Sequence, residues 1–426
     1  MKLNWHAPAP PTRSGIADFT AAVLPALMDR FTVELWTDRV NGQERVSGAP
    51  VRYAARDDIH EWDIETIDIY NMGNNFQYHR NIFDRSLDRP GIVLMHDTTL
   101  IDFFLAHRAE SGADAPSGGL YEHNVAAALD ACRSGASIPE PDLRRPLMRA
   151  VLKGALCGVA FTSSSFEHIK ADASCPAYRA DLPLKGSVPA GGAPDDTVPG
   201  RLVLFGILGR NRRIPEILRA IASHPRRDEL TLHVYGTYDD PAGLEALIRT
   251  FDLSRRVVVH GYVPDDVLDE AIRSAALVLN LRFPSMGEAS ASQLRAWSLG
   301  KATVVTPVGW YAELPPDAVL SAPLSDEQGA LREAFTLALD EPARLRAVGE
   351  NGRRRLVDRH RPEHFGAALA EVIADLPALR ARWTVRRWTA RCLAASAGWR
   401  AAVPTAHWAR VTEAMAHLAP AGFADD

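Results

Sequence analysis

Short apolar runs alternate with helix-length segments twice along this chain, and that alternation restricts it to parallel α/β architecture. In the first 180 residues the spacing predicts strands at Lys2–His6, Thr32–Trp36, Val51–Tyr53, Asp68–Met72, Ile92–Met95 and Gly158–Thr162. Helices are expected at Ile16–Met28 and Leu147–Leu156. The second set is cleaner, with strands at Leu202–Phe205, Leu230–Tyr235, Val257–Val259, Leu277–Leu281 and Ala302–Thr306. Between them lie helical segments at Pro215–Ser223, Pro241–Phe251 and Asp266–Ser274. A stretch rich in Gly, Pro and Asp, residues 186–200, separates the two sets. The expected fold is therefore two doubly wound, Rossmann-like domains, 1–185 and 201–360, joined by a 186–200 linker. Residues 361–426 then read as C-terminal helices, of which Pro362–Leu376 returns toward the first domain. Residues 105–145 form a long insertion with Gly- and Pro-containing loops, of the kind that carries substrate specificity.

Composition narrows the function classes. A net charge of −5 argues against a dedicated nucleic-acid binder. Four cysteines, Cys132, Cys157, Cys175 and Cys392, lack C-x2-C spacing, so neither a zinc site nor a disulfide framework is expected. The start of the chain lacks a signal-peptide apolar core, and no apolar run approaches bilayer length. A cytoplasmic protein is expected. The segment 380–410 carries seven arginines, no acidic residue, and Trp383, Trp388, Trp399 and Trp408. Trp388, Cys392, Ala395 and Trp399 share one helical face, which could pack on the first domain or lie on an anionic membrane surface.

The chemistry concentrates in residues 282–315. An apolar strand runs into Pro284-Ser285-Met286-Gly287-Glu288, which opens a helix of small and polar residues closing on Gly300. A second strand leads to Gly309 and Glu313. Strand, tight turn and helix N-terminus converge unpaired N–H groups and the positive end of the helix dipole on one anion site. A carboxylate there, Glu288, suits hydroxyls attached to a phosphate, and a sugar diphosphate meets both requirements.

This stretch resembles the donor signature of retaining two-Rossmann-domain (GT-B) glycosyltransferases of family 4, in a bacterial branch that reads Gly-Glu-(Thr/Ala)-Ser. Glu288 matches the family's first Glu, which implies contact with the donor sugar. Arg295 stands where the family has the second Glu, which holds the nucleotide ribose, in a segment one residue shorter. The resemblance spans about residues 3–375.

Other strand ends supply further candidates. Ser14-Gly15 in the first loop resembles the family's N-terminal diphosphate loop; Gly15 allows close backbone approach, and an ordinary turn capped by Ser14 would look the same. Asn74 and Asn75 could bond sugar hydroxyls or stabilise their own turn. His96 resembles the histidine that faces the donor sugar in the family. Asp97 follows it, although adjacent strand residues point to opposite faces. Arg212 matches the family's diphosphate-clamping cation, and Arg213 is a second candidate. Ala289 and Ser290 would bind the diphosphate at the helix start. The segment His260-Gly261-Tyr262 resembles the nucleobase-binding stretch; Tyr262 and Gly206 are assigned to the nucleotide with Arg295.

Asp pairs at 57–58, 195–196, 239–240 and 265–266 are all expected in polar loops, and none forms a strand-end Asp-x-Asp. No GxGxxG fingerprint occurs either. The expected activity is metal- and cofactor-independent transfer of a sugar from a nucleotide-diphosphate sugar to a hydroxyl acceptor. A sugar-nucleotide epimerase of the same architecture and a non-catalytic nucleotide-sugar-binding protein are the alternatives.

Overall fold

The computed structural model describes residues 1–37, 44–53, 65–111, 147–172, 174–186, 188, 196–238 and 240–397. Most of the 186–200 linker, the 105–145 insertion beyond Ser111, Asp57–Asp58, and Trp399 and Trp408 lie outside the described residues, as do Cys132 and the side chains of Cys392 and Ala395.

The first sheet has eight strands: β1 (Lys2–His6), β2 (Thr32–Thr37), β3 (Arg45–Val46), β4 (Ala49–Tyr53), β5 (Thr66–Met72), β6 (Ile92–Met95), β7 (Cys157–Ala160) and β8 (Ala177–Arg179). Their order is β3-β4-β2-β1-β5-β6-β7-β8, parallel except for the β3–β4 pair. Its helices are α1 (Gly15–Met28), α2 (Phe76–Asp88), α3 (Ile101–Ser111), α4 (Arg149–Leu152) and α5 (Ser163–Asp172). β5 is buried along its whole length, as a parallel strand covered on both faces must be.

The second sheet has six parallel strands: β9 (Arg201–Leu208), β10 (Thr231–Tyr238), β11 (Val257–Gly261), β12 (Leu277–Leu279), β13 (Thr303–Val305) and β14 (Leu320–Ser321). Their order is β11-β10-β9-β12-β13-β14. Its helices are α6 (Ile214–Ala222), α7 (Pro241–Thr250), α8 (Asp265–Ser274), α9 (Ala291–Ser298), α10 (Glu327–Asp340) and α11 (Pro342–Arg359). Gly300 takes φ +66 just beyond α9, the left-handed conformation that ends a helix at little cost only in glycine.

In both sheets the order reverses beside the first strand. β2 and β5 flank β1, and β10 and β12 flank β9. Open α/β sheets bind ligands outside the carboxyl ends of the strands at this reversal. The loops after β1, β5 and β6 and those after β9 and β12 therefore define where a site can be.

Two helices lead back from the second domain. In α12 (Pro362–Ala374), Phe365 packs edge-on to Trp5 and Phe19 at 6.4 and 5.2 Å. Gly366 lies over the α1 backbone at Ala26, where a β-carbon would stand 3.4 Å from the carbonyl oxygen. α13 (Leu376–Ala397) docks beneath the first sheet: Trp383 Nε1 donates to Gly154 O (3.0 Å) and Arg386 to Ala155 O (2.9 Å). Trp388 is exposed.

Three expectations shift. Asp265 and Asp266, expected in a loop, open α8, where they are favoured by the helix dipole. The Leu147–Leu156 helix is a single described turn, because the chain bends at Lys153-Gly154 and the carbonyls of 153–155 turn to α13. β7 stops at Ala160 because Thr162 Oγ1 already accepts from Ser165 N (3.0 Å) and opens α5. Among the described residues, no helix is long and apolar enough to cross a membrane.

Candidate active site

The second-domain half of the site grows from the ends of β9 and β12. Gly206 adopts φ +113, and a β-carbon there would stand 3.3 Å from Ser292 Oγ and 3.4 Å from Arg212 Nη2. The missing side chain thus lets the Arg212 guanidinium and the start of α9 meet at the strand end. Arg212 is only 1% exposed; it donates to Asn280 Oδ1 (3.0 Å) and Phe205 O (2.5 Å). Burial pulls its pKa down to about 10, and neighbouring Arg282 adds to this. Asn280 in turn donates to Ser290 Oγ (3.3 Å) and Gln293 Oε1 (2.9 Å), and Ser290 Oγ caps α9 by accepting from Gln293 N (3.1 Å). The buried cation is thereby tied through Asn280 to the helix start. The first-turn N–H groups of Ala291 and Ser292 have no acceptor within the helix.

Arg213 goes elsewhere. Its backbone is left-handed, φ 57, and its guanidinium makes a two-point ion pair with Glu327 (3.0 and 2.5 Å). The candidate pair of cations is thus split: Arg212 lies against the helix start and Arg213 against α10.

Within the 284–290 turn, Glu288 accepts from Met286 N (2.6 Å) and Ser285 Oγ (3.2 Å) through one oxygen, and its other oxygen pairs with Arg282 (3.0 Å). Ala289 follows, partly buried against the core that holds Trp297. Arg282 is the principal residue that sequence reasoning missed; a charged residue straight after an apolar strand was its visible signal.

On the first domain, Ser14 caps α1 by accepting from Ala17 N (3.1 Å), and the space above Gly15 is open for at least 4 Å. His96 Nε2 meets Asn71 Oδ1 at 3.0 Å, while the ring packs on Phe19 and Phe161 at 4.7 and 4.8 Å. Burial lowers its pKa to about 3, so the imidazole is neutral at any working pH. Asp97 turns from it and accepts from Asn74 N (2.8 Å). Burial, reinforced by the Glu288 charge, raises the Asp97 pKa to about 7. His96 and Asp97 therefore act separately.

Asn74 spends its side chain outside its own turn. Its side-chain oxygen accepts from Asp102 N and Phe103 N (3.0 and 3.1 Å), and its amide donates to Asp102 (2.7 Å), so it caps α3. Asn75 is exposed and makes no capping bond to α2. Arg295 is held by Asp265 (2.9 Å) and Asp269 (2.8 Å) of α8. Tyr262 is 58% exposed, and Arg13 from the first loop lies 4.1 Å from its ring centroid.

The halves meet at the 284–290 turn. Met286 O accepts from Thr98 N and Thr99 N (3.0 and 3.1 Å), and Gly287 O accepts from Ser165 Oγ (2.7 Å). Gly287 has φ +85 and its missing β-carbon would collide with Thr98 Oγ1, so only glycine fits the junction. The result is a charge group drawn from both domains: Asp97 on one side, and Arg282, Glu288 and the buried Arg212 on the other.

Residues 199–341 match the family model described as Glycosyl transferases group 1. No curated protein matches the chain. Anabaena HepE, solved with UDP and glucose, superposes with a TM-score of 0.60 at 13% identity, covering 88% of this chain and 100% of that one. The sucrose-phosphate synthase of Thermosynechococcus elongatus gives 0.61 at 15% identity, over 89% and 99% of the two chains. WaaG, a glycosyltransferase involved in lipopolysaccharide biosynthesis, gives 0.52 at 15% identity, over 87% and 99%. Together with the two reversed parallel sheets, these likenesses establish the fold as GT-B, two Rossmann-like domains with returning C-terminal helices.

Proposed function

We propose that the protein is a retaining, metal-independent glycosyltransferase of family 4 that moves a sugar from a nucleotide-diphosphate sugar to a hydroxyl acceptor. One observation carries the reading: at the β9/β12 reversal, a buried guanidinium and a helix N-terminus adjoin a carboxylate, with the first domain's strand ends opposite. Arg212 and the α9 N-terminus suit the charge that develops on a leaving diphosphate. Ala289 and Ser290 belong to the same anion site, and Ser14-Gly15, at the turn into α1, would contribute to the diphosphate from the first domain. Glu288, oriented by Arg282 and the Met286 N–H, suits hydroxyls of the donor sugar. Neutral His96 suits a hydroxyl of the donor sugar as a hydrogen-bond partner, not as a cation. Retention would follow front-face attack in which a donor phosphate oxygen takes the acceptor proton, so no dedicated base is needed.

Gly206, Tyr262 and Arg295 border the nucleotide end. Because Arg295 is engaged with Asp265 and Asp269, ribose hydroxyls would meet a different set of acceptors from the second Glu of the family. Asn75 and Asp97 belong to the sugar and acceptor side. Exposed Trp388, beside exposed Arg382 and Arg387, is consistent with peripheral contact of the 380–410 segment with an anionic membrane.

Uridine nucleotides are the first donors to test, since HepE was solved with UDP, UDP-glucose, and UDP with glucose. The decisive experiment incubates the protein with UDP-sugars, with and without hydroxyl acceptors, and follows released nucleotide and anomeric product by NMR. Acceptor-dependent product with retained configuration supports the reading. Conversion of the donor alone to an epimer would select the epimerase, and tight donor binding with neither transfer nor hydrolysis would select a binding protein.

A further inference from the structure

Glu313 belongs to the second domain, at the end of a short 3-10 turn, Gly309–Glu313, but its carboxylate reaches across into the first. One oxygen accepts from Ser163 N (2.7 Å) and Ser164 N (3.3 Å); the other accepts from Ser163 Oγ (2.8 Å) and faces Arg179 Nη2 (3.4 Å). Arg179, on β8, also donates to Ser163 Oγ (2.7 Å). The first N–H groups of α5 have no acceptor inside their own helix, and the helix dipole favours an anion in front of them. An acid from one domain thus satisfies the helix start of the other, with an arginine on a second element completing its charge balance.

The same helix start holds the donor turn. Ser165 Oγ donates to Gly287 O (2.7 Å), next to the Glu288 that the proposed transfer uses. Glu313 and the 284–290 turn are therefore anchored to one point of the first domain by independent contacts. The turn's own contacts are neutral hydrogen bonds, whereas Glu313 brings a charge to this junction from the second domain; Arg359, at the end of α11, brings another by pairing with Asp181 (2.8 Å).

We propose that Glu313 is a positioning residue that holds the two domains closed, so that Glu288 and the α9 N-terminus face His96 and Asp97. The kinetic part of this inference rests on the glycosyltransferase reading; the closure part does not. If donor contacts lie in the second domain, loosening the latch lowers the fraction of molecules with both halves assembled, and turnover falls with that fraction.

The test compares the full-length wild type with Glu313→Ala, Glu313→Gln and Arg179→Ala. Small-angle scattering without ligand should show a larger radius of gyration for Glu313→Ala and an intermediate one for Glu313→Gln, which keeps one acceptor oxygen. With a UDP-sugar that the wild type uses, kcat should fall about tenfold or more in Glu313→Ala, the size expected for losing a charge-assisted contact. The donor KM should stay within about twofold, and Glu313→Gln should recover part of the loss. A merely structural acid would lower the melting temperature without that split. Wild-type scattering and wild-type kcat in Glu313→Ala overturn the proposal, as does loss of stability with kcat unchanged. Should Glu313→Ala fail to fold, Ser163→Ala removes one arm of the latch and is read in the same ways. If the wild type turns over no nucleotide sugar, the transferase reading fails while the scattering comparison still decides the latch.

Discussion

Replacing Asp97 by Asn should make the protein more stable at alkaline pH and nearly neutral in effect at acid pH. The carboxyl is largely but not fully withdrawn from solvent, accepts one N–H from Asn74 (2.8 Å), and carries repulsion from Glu288 that Arg282 only partly offsets. These surroundings favour its neutral form and raise its pKa from 3.8 to about 7. In the unfolded chain it ionises near the ordinary value. Below about pH 4 both states hold the proton and the group contributes nothing to the pH dependence. Between about pH 4 and 7 only the unfolded chain releases it, so stability falls by about 1.4 kcal/mol per pH unit. The rise from 3.8 to about 7 corresponds to at most about 4 kcal/mol, fully lost above pH 7. Asn keeps an oxygen for Asn74 N and has no charge to desolvate. Urea unfolding of wild type and Asp97→Asn at pH 4.5, 6 and 8 should show a stability difference that opens with pH, to at most about 4 kcal/mol at pH 8. In a Glu288→Gln background the repulsion is gone and the difference should narrow. A penalty for Asp97→Asn that is the same at all three pH values, or a benefit that grows toward acid, would refute the reasoning.

Arg212→Ala strips Phe205 O of its donor and leaves Asn280 Oδ1 with Tyr311 Oη at 3.4 Å, so it should cost about 2–4 kcal/mol of stability as well as about one to two decades in nucleoside-diphosphate affinity. A melting temperature within a degree of wild type, read by calorimetry, would contradict the buried placement. Glu288→Gln should cut transfer sharply while UDP binding by titration calorimetry stays nearly intact; equal loss of both would put Glu288 on the nucleotide instead of the sugar. Activity should survive EDTA, and its abolition with rescue by Mn2+ or Mg2+ would require a different site chemistry.

The sequence shows the positions at which the chain leaves a strand for a turn, and those positions locate the site. Glu288 and Ser290 are visible because Pro, Gly, an acid and a helix-capping Ser occur within seven residues after an apolar run. Gly206 and Gly300 are visible because strand and helix patterns break on them, and both adopt positive φ. What the sequence hides is which charge each side chain will find. Arg212 and Arg213 are adjacent and equal as cations; a left-handed residue sends the second to Glu327, 114 residues on, while the first turns under the site. Arg295 meets Asp265 and Asp269 because two helices happen to lie side by side, and Asn74 caps α3 because a helix starts at Ile101. Neither fact has a local signature.

The same asymmetry explains why the functional reading depends on contacts between domains. Asp97 is pushed toward neutral pH partly by Glu288, 191 positions later, and the turn that carries Glu288 is held by Thr98, Thr99 and Ser165. Each half alone has a strand end, a cap and a polar residue or two, which any Rossmann-like domain offers. Joined, they set a carboxyl that titrates near pH 7, an ion-paired carboxylate and a buried guanidinium around one glycine-lined turn. The chemistry therefore belongs to the closed arrangement, and a substitution that only separates the halves should remove turnover while leaving each half folded.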